Sequence, residues 1–268
     1  MKAHIVLASR LIKLVANITK VLSYAFHYFF PNKRFTLPAR SGALIKGADR
    51  AIPRIIWQTN YTDKATLPVY LNYLFNRIMS PTFEYRFMIT EARAEFIQAN
   101  YSPEIFEAYS RLQIGAAQAD FWRILVLQKY GGVYLDIDAH AVWPLGYTIR
   151  PEHEELYIIR KNNELTNYFI ASKPGNPNMD RLIEQILTNI RENTIQGVYN
   201  MTGPGVFNVV LDYQKVPTTW YRHTCSQGSF TNEYFQYIDK PQGKWTKEQH
   251  KVDVVRRDPP AKDQQAND

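Results

Sequence analysis

The chain has 268 residues, 45% hydrophobic and 14% aromatic, enough for one sizeable core or at most two small domains. Its single cysteine, Cys225, excludes an intramolecular disulfide and any cysteine-based zinc cluster. The net charge of +7 sits in the first fifty residues, where nine Lys and Arg face one acid, Asp49; the near-neutral body that follows argues against nucleic acid as a partner.

Residues 1–34 read as a basic amphipathic segment. Arg10, Lys13, Asn17 and Lys20 recur every three or four positions, with Leu7, Leu11, Leu14, Val15, Ile18 and Leu22 opposite them. The longest run free of formal charge, Val21–Phe30, is well short of the ~18 residues that suggest a spanning helix. A basic amphipathic helix over residues 3–30, running into "YAFHYFFP", is expected to lie in a membrane interface. A packed N-terminal helix or a poor signal peptide are the alternatives. Residues 35–51, rich in Pro, Gly and basic side chains, read as a linker.

The globular domain is expected over 52–246. "IPRIIWQTN" (52–60) carries an apolar burst after Pro53, the pattern of a buried first strand. Helical spacing follows over 67–79 and 91–100, with "FEYRFMI" alternating between them as a strand. Residues 102–110 and 111–130 read as helices, the second stopped at Gly131. Strands are expected at 155–160 and 167–172, and a helix at 177–192 opened by "NPNMD". Residues 247–268 are polar and expected to be disordered. Strands alternating with helices imply an α/β fold with a largely parallel sheet.

"KYGGVYLDIDAH" (129–140) carries Asp136 and Asp138 at the end of a short apolar run. Strand alternation puts Tyr134, Asp136 and Asp138 on one face, where paired carboxylates repel unless a proton, an Arg or a cation intervenes. Carboxylate oxygens without His or Cys suit Mg²⁺ or Mn²⁺, and parallel sheets place ligands at such strand ends. The pattern alone fits two solvated acids equally well. Upstream, Asp120 and Arg123 share a helix face, as an exposed ion pair or as neighbours of the acids.

"AAQADFWRILVLQKYGGVYLDID" resembles the A-x-x-S/A-D-x-x-R-x-x-x-L-x-x-x-G-G-x-Y-x-D-x-D signature of the DXD-containing sugar transferases, family 32 of the glycosyltransferases. Yeast outer-chain mannosyltransferases and bacterial capsule and lipopolysaccharide enzymes belong to that family. "IPRIIWQTN", "NYFIASKPGNP" (167–177) and "TGPGVF" (202–207) are similar to its opening strand, middle segment and T-G-P element. The resemblance implies a single-domain GT-A (Rossmann-like) fold and a divalent cation, Mn²⁺ or Mg²⁺. It also implies a UDP- or GDP-sugar donor, a glycan or glycolipid acceptor, and transfer with retention of configuration.

Under that resemblance Asp138 ligates the metal, and Asp136 holds the donor ribose or the metal through water. Asp120 and Arg123 grip the donor sugar and its phosphate side. Tyr134 and Trp245 line the donor site, and Asn167 bonds the sugar. Trp57 is a candidate to stack on the base, or a core residue. Gly203 and Pro204 shape the acceptor-side loop. The family's His before a G-S-W-like element is missing from "QYIDKPQGKWTKEQH"; Asp239 stands there as a candidate third metal ligand and Lys240 as a phosphate contact.

The expected function is a metal-dependent glycosyltransferase extending a surface glycan or glycolipid, on the cytoplasmic face of a bacterial inner membrane. A catalytically inactive glycan-binding or membrane-scaffold protein and a metal-dependent phosphoryl-transfer enzyme are the rivals.

Overall fold

The computed structural model describes residues 3–241 and 243–257. Helix α1 (Ala3–Phe29) leads into two short strands, β1 (Phe35–Thr36) and β2 (Arg40–Ser41). Next come β3 (Ile55–Thr59), β4 (Lys64–Ala65), α2 (Leu67–Met79), β5 (Glu84–Met88) and three helices, α3 (Thr90–Asn100), α4 (Pro103–Arg111) and α5 (Gly115–Tyr130). Strands β6 (Gly132–Leu135) and β7 (Ala139–Ala141) flank the acidic turn and are followed by α6 (Leu145–Thr148), β8 (Glu155–Ile159) and β9 (Leu165–Ser172). Helices α7 (Pro177–Glu192), α8 (Val198–Met201) and α9 (Pro204–Val210) precede β10 (Thr218–Trp220), α10 (Tyr221–Thr224), β11 (Cys225–Gln227), α11 (Glu233–Tyr237) and α12 (Trp245–Glu248).

Seven strands form the main sheet in the order β10-β8-β9-β6-β3-β5-β2. β3 runs parallel to both β5 and β6, so the carboxyl ends of these three strands open on one edge. The sheet is mixed, against the largely parallel one expected: β9 is antiparallel to both β6 and β8. The reason is the short Arg160–Glu164 connection, which closes a hairpin but is too brief for a parallel crossover.

Helix α5 packs under one face of the sheet with Phe121, Trp122, Ile124, Leu125, Val126 and Leu127 all fully buried. A helix buried all round has no amphipathic stripe, and each such side chain contributes about 1.5–3 kcal/mol. It starts at Gly115; residues 112–114 instead lead out of α4, with Leu112 bridging to Val255. Its stop at Gly131 follows the expectation, with φ of +61° there and +108° at Gly132. A Cβ on Gly132 would stand 2.7 Å from the Ile55 carbonyl, so only glycine lets β6 approach β3.

Residues 35–51 are not a free linker. β2 joins the edge of the sheet against β5, and Leu37 is buried in the core. Nor are residues 247–257 loose: Val254 and Val255 are buried and Arg256 N donates to the Arg111 carbonyl. Residues 258–268, also expected to be disordered, lie outside the described residues.

Helix α1 packs on the domain through a narrow face of Ile5, Ser9, Ala16, Ser23 and His27. Its leucine-rich face points away: Leu7, Leu11, Leu14, Val15, Ile18 and Leu22 are 52–62% exposed. The inner side also grips the C-terminal third and the start of α2. Lys20 Nζ donates to the Gly228 carbonyl (3.2 Å), Tyr24 OH accepts from Asn232 Nδ2 (2.6 Å), and His27 Nε2 accepts from the Leu67 amide (3.1 Å).

Candidate active site

At the carboxyl edge of β3, β5 and β6 opens a cavity of about 510 Å³. Its floor carries Asp120, Arg123, Tyr134, Asp136, Asp138 and Asn167. Thr59, Asn60, Tyr61 and Arg93 form one end, and Arg160, Tyr199 and Pro204 also line it. A wall from the C-terminal segment supplies Gln227, Gln236, Tyr237, Lys240, Lys244 and Trp245.

Asp136 and Asp138 do not lie on the strand. β6 ends at Leu135, and residues 136–139 form a turn closed by the Ala139 amide on the Asp136 carbonyl (2.9 Å). Asp136 still shares the cavity with Tyr134, whose hydroxyl donates to its Oδ1 (2.7 Å). Asp138 reaches it because the turn, rather than strand alternation, aims it there.

Arg123 sits in the buried middle of α5, where an unpaired charge would be very costly. Its Nη2 lies 2.9 Å from Asp120 Oδ1 and 3.2 Å from Asp136 Oδ1, and Nη1 donates to the Asn167 carbonyl (2.7 Å). The guanidinium also lies 4.3 Å over the Tyr134 ring. Asn167 Nδ2 donates to Asp120 Oδ1 (2.9 Å) and Thr202 Oγ1 to Asp120 Oδ2 (3.4 Å). Helix, strand and T-G-P loop thus converge on one carboxylate. Burial opposes the Arg123 charge, but Tyr134, Asp136 and Asp120 more than offset it and raise its pKa. Burial pushes Asp120 up to about 6 against the pull of Arg123. Burial and the neighbouring Asp136 likewise push Asp138 up to about 6. Asp120 and Asp136 pair with Arg123 while Asp138 meets only neutral amides, so the three carboxylates of the floor outnumber its one paired cation.

Two expected site residues are misplaced. Trp57 is fully buried and does not line the cavity: its Nε1 donates to the Gly131 carbonyl (2.9 Å), and its ring stacks near Tyr130 at 5.9 Å. The indole fits there because residue 132 is glycine: a Cβ on it would stand 3.1 Å from Trp57 Nε1. Asp239 also lies outside the cavity. Arg34 Nε and Nη2 grip its two oxygens at 2.6 Å each and hold its carboxyl below the usual range. That bond ties the chain after α11 to the segment after α1. Gly203 caps α9, where a Cβ would stand 2.9 Å from the Tyr199 carbonyl; only its neighbour Pro204 reaches the cavity.

Gln227, Gln236, Tyr61 and Arg93 have no marker in the sequence, whereas Thr202 opens the T-G-P element without any sign there that it reaches Asp120. Arg93 is 2% exposed and, among the described residues, in no ion pair. Gln227 is brought to the acids by pairing of β11 with β7, which sets Gln227 against Ala139.

Residues 68–157 match the family described as glycosyltransferase sugar-binding region containing DXD motif. The matched stretch runs from α2 to β8 and includes Asp120, Arg123, Asp136 and Asp138. An uncharacterised glycosyltransferase of Acanthamoeba polyphaga mimivirus is 28% identical over 170 residues, 61% of this chain and 66% of that one. Initiation-specific alpha-1,6-mannosyltransferases of Schizosaccharomyces pombe and Candida albicans are 26% and 25% identical, covering 70% and 69% of this chain. The matches span 54% and 61% of those two relatives. The solved PaToxG glycosyltransferase superposes with a TM-score of 0.50 at 18% identity, over 77% of this chain and 80% of its own. The GT-A fold expected from the motifs is the fold found.

Proposed function

We propose that this DXD-family protein is a metal-dependent, retaining glycosyltransferase that moves a sugar from a UDP- or GDP-sugar to a glycan or glycolipid hydroxyl. The observation that supports it best is the convergence of Asp136 and Asp138 with the Arg123–Asp120–Asn167 network on one cavity floor. The donor set fits a hard divalent cation, because it offers only oxygen and carries more negative charge than Arg123 neutralises. Asp138 would hold the cation and Asp136 would support it. Bound there, a divalent cation acts as a Lewis acid on the departing diphosphate.

The chain's own residues divide the remaining work. Asp120, fixed by Asn167, Thr202 and Arg123, accepts hydrogen bonds from donor-sugar hydroxyls. Arg123 has its donors engaged with protein oxygens, so it positions both Asp120 and Asp136 instead of gripping phosphate. Lys240 and Arg93 supply cations for the nucleotide, and Tyr61, at the end of β3, takes the stacking role expected of Trp57. Lys240 Nζ stands 6.0 Å over the Tyr61 ring, which places charge and ring side by side. A phosphoryl-transfer enzyme with two metals would need further carboxylates; among the described residues no group of three or more His, Cys, Asp and Glu clusters to hold one.

The test is nucleotide release. Purified full-length chain is incubated with Mn²⁺ or Mg²⁺ and a panel of UDP- and GDP-sugars, with and without EDTA. Hydrolysis of donors bearing one of the two nucleotides, stopped by EDTA, is expected. Absence of both turnover and nucleotide binding would favour the inactive scaffold.

The same reading seats the enzyme on a membrane surface. No helix among the described residues is long and apolar enough to cross one. The outward leucine face of α1, with exposed Arg10 and Lys13 beside it, suits an anionic interface instead. Sedimentation with anionic vesicles should be lost in the triple substitution Leu11→Glu, Leu14→Glu, Ile18→Glu. If the unchanged chain dimerises and ignores vesicles, that face covers a second copy.

A further inference from the structure

Asp136 and Asp138 are bridged by a neutral side chain. Gln227 Nε2 stands 2.9 Å from Asp136 Oδ2 and 2.9 Å from Asp138 Oδ1. Gln236 Nε2 lies 3.3 Å from the other oxygen, Asp138 Oδ2. The amide nitrogen of Gln227 therefore takes the place of a positive partner between two acids that repel each other. A carboxamide carries its NH₂ and its oxygen on opposite sides of one soft torsion, so half a turn swaps donor for acceptor.

Both amides are held in place by backbone. Gln227 ends β11, and the next amide, Gly228 N, donates to the Asp138 carbonyl (3.0 Å). Gln236 rides on α11, capped by Asn232 and tied down by Thr66 Oγ1 on the Phe235 carbonyl (3.0 Å). Asp239, the carboxylate expected to complete the set, is bonded to Arg34 instead. The positions around Asp138 that a third acid or a His would fill are occupied by these two glutamines.

We propose that Gln227 and Gln236 are the remaining protein ligands of the divalent cation held by Asp138 and Asp136, each turning its carboxamide oxygen inward when the ion binds. This rests on the metal-dependent reading of the site. It yields an all-oxygen set of two carboxylates and two neutral amides, the donor type that Mg²⁺ and Mn²⁺ prefer. Compared with a set of three carboxylates, it holds the ion with less negative charge and leaves it more attractive to a diphosphate.

The test is Mn²⁺ affinity, read by electron paramagnetic resonance of free Mn²⁺ and by calorimetry, alone and with UDP or GDP present. Gln227→Leu and Gln236→Leu should each weaken Mn²⁺ binding at least about tenfold, with thermal unfolding in EDTA unchanged. Gln227→Glu, which restores oxygens, should bind at least as tightly as the unchanged chain. Leu variants with unaltered affinity, alongside an Asp138→Asn control that loses it, would overturn the glutamine ligands and leave the metal site standing. Absence of Mn²⁺ binding by the unchanged chain, with either nucleotide, would overturn both.

Discussion

Asp138→Asn is expected to lower donor turnover by at least about a thousandfold, roughly 4 kcal/mol of transition-state stabilisation, while the protein stays folded. The substitution keeps the shape of the side chain and removes one of the two charges that the turn presents to the cavity. On the proposed metal-dependent reading, the cation would then be bound too weakly to stabilise charge on the leaving diphosphate. Stability should not suffer, because the change relieves the repulsion between Asp136 and Asp138; in EDTA the variant should unfold at the same temperature or higher. Turnover by the variant, or by the unchanged chain in EDTA, near the original rate would remove the metal from the reaction.

Arg123→Leu is expected to be the most damaging single change to the fold. It leaves Asp120 buried with only Asn167 and Thr202 as partners, and it strips Asp136 of its ion pair. Breaking a buried pair by deleting one partner typically costs about 3–5 kcal/mol. The pH dependence follows from Asp120. Its folded pKa, already raised to about 6 with Arg123 in place, rises further when the guanidinium goes. A carboxyl whose folded pKa lies above its unfolded value of about 4 favours the fold at low pH and penalises it as pH climbs past that value. The loss should therefore be larger at pH 8 than at pH 5, measured by urea unfolding at both. Equal losses at the two pH values would mean that Asp120 is not the group left stranded.

Much of this architecture was legible where the signal was local. The helices at 67–79 and 177–192 appear at those same bounds, since Pro68 and Pro177 open their first turns and their apolar spacing is regular. Asp120 and Arg123 lie three apart on one helix, and Gly131-Gly132 leads directly from that helix to the acids, so the floor of the site could be read from a single stretch. What escaped was decided by distant pairing. Gln227 and Gln236 meet the acids across 89 to 98 residues, through β7–β11 pairing that leaves no periodic trace. Trp57 shows the limit of alternation: it assigns two faces to a strand without saying which is the cavity. The same holds for α1, whose sequence gives a leucine face and a basic stripe, but not the small-residue face that packs on the domain.

The grip of α1 and Arg34 on residues 228–239 has a practical consequence for anyone preparing this protein. Deleting the first 34 residues, the obvious route to a better-behaved sample, would remove Lys20, Tyr24, His27 and Arg34 in one cut. Lys20, Tyr24 and Arg34 bond to residues flanking the strand and helix that carry Gln227 and Gln236, and the His27 ring lies against Phe235 of that helix. Poor turnover by such a trimmed protein would report a slack wall beside the acids rather than a wrong donor or acceptor, and the untrimmed 268-residue chain in detergent is the sample on which substrates should be screened.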